Sequence, residues 1–149
     1  MISRWLKFLN AFLNATECDS SDIFISVVSS PITNSNPSRY NKLHLPNGVA
    51  FSNQEKNRWF LTKNNEIVGM LNATTKENGQ IQIFGSSLIY KEDLFSLPIK
   101  SSALHIYSCP ETTLSNEENF KISDIKCKLV CINYKNKFTF FPLLHSFSK

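Results

Sequence analysis

The sequence predicts a mainly β fold: a small antiparallel barrel or strongly bent sheet of about seven strands, with one short N-terminal amphipathic helix. Three observations predict it. From residue 42 onward, short apolar runs alternate with turns rich in Asn, Gly and Lys. Those runs are built from β-branched and aromatic residues, with 12 Phe in 149 residues. Stretches with helical periodicity between the runs, which a βαβ layout requires, are missing.

The elements follow in order. Ile2, Trp5, Leu6, Leu9, Phe12 and Leu13 recur at helical spacing, opposite Arg4, Lys7, Asn10 and Asn14. Residues 1–16 therefore read as an amphipathic helix, packed on the β-domain or docked on a partner or a membrane surface. Residues 17–39 hold a strand candidate, DIFISVVS at 22–29, and a Pro/Asn/Ser-rich linker, PITNSNPS at 31–38. The β-domain is placed at 40–149.

Within it, KLHL at 42–45 and VAFS at 49–52 flank Pro46-Asn47-Gly48, a strong hairpin signal. RWFLT at 58–62 and EIVGMLNA at 66–73 are strands around the turn Asn64-Asn65. KENG at 76–79 turns the chain into QIQIFG at 80–85, which continues past a bulge expected at Gly85. ALHIYSC at 103–109 reads as a strand ended by Pro110. Residues 111–120 are polar and acidic and read as a surface loop with at most a helical turn at 115–118. Residues 122–133 read as one strand, with Ile125, Cys127, Leu129 and Cys131 on one face and Lys126, Lys128, Val130 and Ile132 on the other. Asn136 marks a last hairpin turn into KFTFFPLL at 137–144, where Pro142 requires an edge or end position.

Composition narrows the function. Lys+Arg number 16 against 12 Asp+Glu, a net charge of +4. The lysines are scattered, so nucleic acid is permitted as a partner without being demanded. Only 4 glycines are present, and no phosphate-cradling loop is found. Lys7 and Asn10 interrupt the N-terminal apolar run, which is too short for a signal peptide. No run approaches the roughly 18 apolar residues of a membrane-spanning helix. The triplets Asn14-Ala15-Thr16 and Asn72-Ala73-Thr74 fit a glycosylation pattern and keep a secreted reading open. Cys127 and Cys131 stand in one strand, roughly 13 Å apart at about 3.3 Å per residue, too far to bond to each other. Reduced cysteines in an intracellular protein are the preferred reading.

No catalytic constellation emerges. His44, His105 and His145 lack metal-binding neighbours at familiar spacing, and Cys109, Cys127, Cys131 and His145 would meet only through an unusual tertiary arrangement. No cofactor is expected. Trp59, Phe84, Tyr90 and Tyr107 come from several strands, and small β-barrels often present aromatics at one rim for stacking or cation–π binding. Ordinary core packing is the competing reading. Trp59 and Tyr107 stand out because an indole or phenol wants a polar partner. With Trp5, Leu9 and Phe12 of the helix, these are the candidate binding residues.

The run NNEIVGMLNATTKENGQIQIFGSSLIYKEDLFSLPIKSSALHIYSC, followed by KISDIKCKLVCI, resembles a divergent bromo-adjacent-homology (BAH) domain in its order of parts. A strand enters through Gly69, a turn and second strand follow, and a charged segment leads into Asp93-Leu94-Phe95. YNKLHLPNG at 40–48, WFLTKNNEIVG at 59–69 and FPLLHSF at 141–147 are similar to a β-module at the C-termini of transposon-derived animal proteins. The BAH resemblance implies protein or nucleosome contact on chromatin, and hence a nuclear location. The aromatic-rich segment expected after Phe84 is here Gly85-Ser86-Ser87, so no methyl-lysine cage can be mapped.

The expectation is a non-enzymatic protein-interaction module in a nuclear, chromatin- or transposon-linked assembly. The alternative is a nucleic-acid-binding β-barrel using Lys126, Lys128, Lys135 and Lys137. A cysteine-dependent enzyme or a zinc protein ranks below both.

Overall fold

The computed structural model describes residues 39–45 and 48–147. The helix expected at 1–16, with Trp5, Leu9 and Phe12, lies outside the described residues, as do the strand candidate at 22–29 and the linker.

Eleven strands follow in order: β1 Arg39–Tyr40, β2 Lys42–His44, β3 Ala50–Ser52, β4 Trp59–Thr62, β5 Ile67–Thr75, β6 Ile81–Ser87, β7 Glu92–Asp93, β8 Tyr107–Cys109, β9 Glu118–Lys121, β10 Ile125–Tyr134 and β11 Lys137–Pro142. All recorded pairings are antiparallel. One sheet runs β7-β8-β11-β10-β4-β5-β6-β9, with β1 added beside β5, and β2–β3 form a separate hairpin. The sheet curls into an open half-barrel. Among the described residues no helix is long and apolar enough to cross a membrane.

The tight turns form where local chemistry demands them. Lys135 and Asn136 both adopt positive φ, 51° and 61°, between the paired residues Tyr134 and Lys137. That is a two-residue type I′ hairpin, whose twist suits its flanking strands. Asn65 (φ 63°) and Gly79 (φ 83°) take the left-handed positions of the other two predicted turns. The Asn-Gly hairpin is present as the β2–β3 pair, with Leu43 opposite Phe51.

β4 is buried on both faces, and its side chains alternate between two cores. Trp59 and Leu61 join Ile67, Tyr107, Cys109, Cys127, Leu129, Phe140 and Phe147. Phe60 joins Leu43, Val49, Phe51, Val68, Met70, Ile83 and Ile125. The first core draws on β8 and β5, which stand far apart along the sheet, so the sheet must curl to bring them together. The β2–β3 hairpin covers the second.

Several sequence expectations are corrected. The segment 103–109 is not one strand. A 3-10 helix spans Ser101–Leu104, His105 takes φ 59°, and only Tyr107–Cys109 is extended. Side-chain bonds to backbone outcompete the strand here. Ser101 Oγ donates to the Ile106 carbonyl at 2.8 Å, and the Asp93 carboxylate accepts from the Ser102 amide at 2.6 Å. The supposed loop at 111–120 contributes a bridge, Leu114 with Leu88, and the edge strand β9. Phe120 anchors β9 by packing edge-on against Phe60, at 5.7 Å between ring centroids.

Residues 122–133 begin with a 3-10 turn, Ile122–Asp124, before β10. A bulge then places Ile125 opposite Thr62 but Cys127 opposite Leu61. Lys126 is the extra residue, so Ile125 joins the second core while Cys127 and Leu129 join the first. The bulge expected at Gly85 stands on the partner strand instead, where Leu71 is extra between the pairs Met70–Gly85 and Asn72–Phe84. Gly85 has a different task. A Cβ there would lie 2.7 Å from Val68 Cγ1 and 2.8 Å from the Gly69 carbonyl oxygen, so glycine is what lets β6 approach β5.

Candidate interaction groove

The aromatic residues singled out in the sequence do not converge. Trp59 is fully buried in the first core, edge-on to Phe140 at 5.1 Å. Its indole N–H donates to the Glu55 carbonyl at 2.7 Å, and the Arg58 guanidinium covers its ring at 4.6 Å. Tyr107 is buried in the same core, with the Lys91 ammonium 5.3 Å from its ring, and burial raises its phenol pKa. Phe84 lies half-buried on β6 beneath Arg39 at 4.8 Å. Tyr90 is exposed, and its hydroxyl donates to the Glu92 carboxylate at 2.7 Å. The rim reading therefore gives way to core packing for Trp59 and Tyr107. Their burial follows from inward positions on strands that the curl closes over.

Burial favours the thiol form of the three described cysteines. Cys109, Cys127 and Cys131 are free, and burial pushes Cys127 up to about 12 and Cys131 up to about 11. A nucleophilic or metal-binding cysteine needs the thiolate, which these surroundings oppose. Among the described residues no three His, Cys, Asp or Glu side chains are placed to hold a metal ion.

The four lysines of the nucleic-acid alternative are separated. Lys126 and Lys135 stand at opposite ends of β10, roughly 30 Å apart at about 3.3 Å per residue. Lys126 reaches the Asn65 side chain at 3.4 Å, Lys135 lies over the Tyr134 ring at 5.3 Å, and Lys137 pairs with Glu92 at 2.8 Å. Lys128 turns away from them and donates to the Ala50 carbonyl.

What the fold does assemble is a groove along the second half of β10. Strand β4 pairs with β10 only at Ile125, Cys127 and Lys128, whereas β11 pairs with it from Leu129 to Tyr134. Among the described residues no strand lies on the other side of Val130–Tyr134. The direction of the backbone groups follows from the ladder. The Leu143 amide donates to the Lys128 carbonyl, and the type I′ turn closes on Tyr134 and Lys137. Antiparallel bonds alternate, so Val130, Ile132 and Tyr134 bond toward β11, while Cys131 and Asn133 point their N–H and C=O groups to the open edge. Pro142, which has no N–H, falls opposite Leu129 in a pair that needs none.

The side chains beside that edge are apolar and accessible. Val130 is 37% exposed, Ile132 45% and Tyr134 47%, all on one face. Val130 and Ile132, with Leu143, Phe138 and the turn Glu55–Asn57, border a groove of about 530 Å³. The Trp59 indole fastens the opposite wall through its bond to Glu55. A second hollow of about 280 Å³ adjoins it along β2 and β3. Lys128 and Asn57 line both. The Lys128 ammonium lies 5.4 Å from the Phe51 ring, and partial burial lowers its pKa. The signal in the sequence was the apolar residues on both faces of β10, which one-sided burial does not require.

The family model for a domain of unknown function, DUF8592, matches residues 26–143, most of the chain. The chain belongs to this family. The match starts inside the segment at 22–29, upstream of the first described strand. No curated protein and no solved structure matches the chain.

Proposed function

We propose that this DUF8592 domain is a non-enzymatic protein-interaction module that takes an extended segment of a partner along the open edge of β10. The observation that carries the reading is the coincidence of free backbone groups at Cys131 and Asn133 with the exposed row Val130, Ile132 and Tyr134. Strand addition uses both: main-chain bonds supply affinity and alternate side chains supply selectivity. The resemblance to BAH domains supports a nuclear, chromatin- or transposon-linked setting. The separation of the lysines weighs against a nucleic-acid-binding barrel, and the protonated thiols weigh against a cysteine enzyme.

The test is affinity capture from nuclear extract with the full chain and with a Val130→Lys/Ile132→Lys double variant. Both residues are exposed, so the variant keeps the fold, to be checked by circular dichroism. Loss of specific partners from the variant is the expected result. An identical set of captured proteins for both chains would remove the groove from the proposal.

A further inference from the structure

The groove carries an unanswered charge at one end. Lys128 stands on the same face of β10 as Val130 and Ile132, where the two hollows meet. Its ammonium has three protons. One goes to the Ala50 carbonyl, and among the described residues no carboxylate lies within ion-pair distance of it. Lys42 and Lys56 line the same hollows, and Glu55 is the sole acidic residue in either lining. The local balance is three cations against one carboxylate, 3 − 1 = +2. A half-buried ammonium short of acceptors favours an incoming anion, because a charge-assisted bond replaces water it has already lost.

Resting on the proposed function, we infer that the segment docked on β10 is acidic, with a carboxylate seated on Lys128 and apolar side chains at alternate positions beside Val130 and Ile132. The period-two register of strands fixes this order. Beside Lys128 the ladder place is already taken by Phe60, so the acid lies just past the end of the added strand, whose apolar residues stand two apart. A second copy of this chain fits poorly. Its own β10, IKCKLVCINY, offers lysines and no carboxylate.

The probes are short peptides of alternating Thr and Val, amidated at the C-terminus, carrying one terminal-side Glu or, in the control, Gln. Binding to the full chain is read by fluorescence anisotropy at low and raised salt. The Glu peptide should bind roughly tenfold more tightly than the Gln peptide, the difference expected for a hydrogen bond to a charged group. Lys128→Gln should abolish that preference, Lys128→Arg should retain it, and Lys56→Gln should reduce it slightly. Equal binding of Glu and Gln peptides would overturn the carboxylate site while leaving the groove intact. Binding of neither peptide would overturn both readings. Peptide binding that persists in the Val130→Lys/Ile132→Lys variant would place the peptide elsewhere and overturn both as well.

Discussion

Trp59 and Phe60 are neighbours in the chain and members of different cores. The core around Phe60 comes mainly from one stretch, Leu43 to Ile83, closed by the β2–β3 hairpin, with Phe120, Ile122 and Ile125 added from further along the chain. The core around Trp59 comes from β4, β5, β8, β10, β11 and Phe147, residues spread over most of the described chain. Successive hairpins build the first kind of core, since each strand finds its partner across a short turn. The second kind needs the sheet to curl and β10 to change partners halfway along its length. The open edge of β10 is a consequence of that change: once β4 ends at Trp59, the rest of β10 has a neighbour on only one side.

The sharpest way to break this contrast is to empty each core in turn. Trp59→Ala and Phe60→Ala should each cost about 3–5 kcal/mol, as large aromatic truncations do. Trp5 is the other of the two tryptophans in the sequence, so in a Trp5→Phe background fluorescence reports the Trp59 core alone. Urea unfolding followed by fluorescence and by far-ultraviolet dichroism should show one shared midpoint for the Phe60→Ala variant, because β4 and β5 serve both cores. Two separated midpoints would mean that the cores melt independently.

A smaller effect is expected where the two cores meet through the backbone. Gly85→Ala places a methyl against the Gly69 carbonyl and the Val68 side chain and should cost about 1–3 kcal/mol. Gly69→Ala should cost less. Its nearest neighbours are the Arg58 side chain at 3.0 Å and the Trp59 ring at 3.1 Å, side-chain atoms rather than backbone. A reversed order in thermal melting would contradict the backbone approach assigned to Gly85.

The last effect depends on pH and belongs to the rim of the Trp59 core. Burial, with the nearby Lys126 charge, lowers the His105 pKa from 6.5 to about 4. The fold therefore prefers neutral His105, and the unfolded chain takes up the proton first as pH falls. This contribution is complete above pH 6.5 and is lost as pH falls toward about 4. His105→Asn, a residue that tolerates the left-handed backbone there, should flatten the stability profile across that window. An unchanged slope would show that His105 titrates alike in both states. Hydrogen bonds from Ser102 to Asp93 and from Lys137 to Glu92 hold both carboxyls below the usual carboxylate range.

Much of the strand series was legible because its causes are local. Positive φ at Asn65, Gly79 and Asn136 follows from residue types that accept it, and period-two alternation marks QIQI at the start of β6. Three segments were misread, each because a distant partner decided it. Phe120 made a strand of a polar stretch by reaching Phe60. The Asp93 carboxylate and the Ser101 hydroxyl bent residues 101–106 out of a strand. The Lys126 bulge sent Ile125 to the opposite face from Cys127. The groove was half visible, in the apolar residues on both faces of β10. Its open edge was not, since nothing in IKCKLVCINY states where β4 will end.

The sequence by itself determined the class of this protein, its turns and the residue types that alternate along each strand. These depend on backbone preferences and on contacts within a few residues. The tertiary structure alone decided that Trp59 is a core residue rather than a rim, that the sheet holds two cores, and that β10 ends with a free side. Those outcomes rest on which strands meet across the curl, and strand pairing over long separations is set by the whole sheet rather than by any one segment.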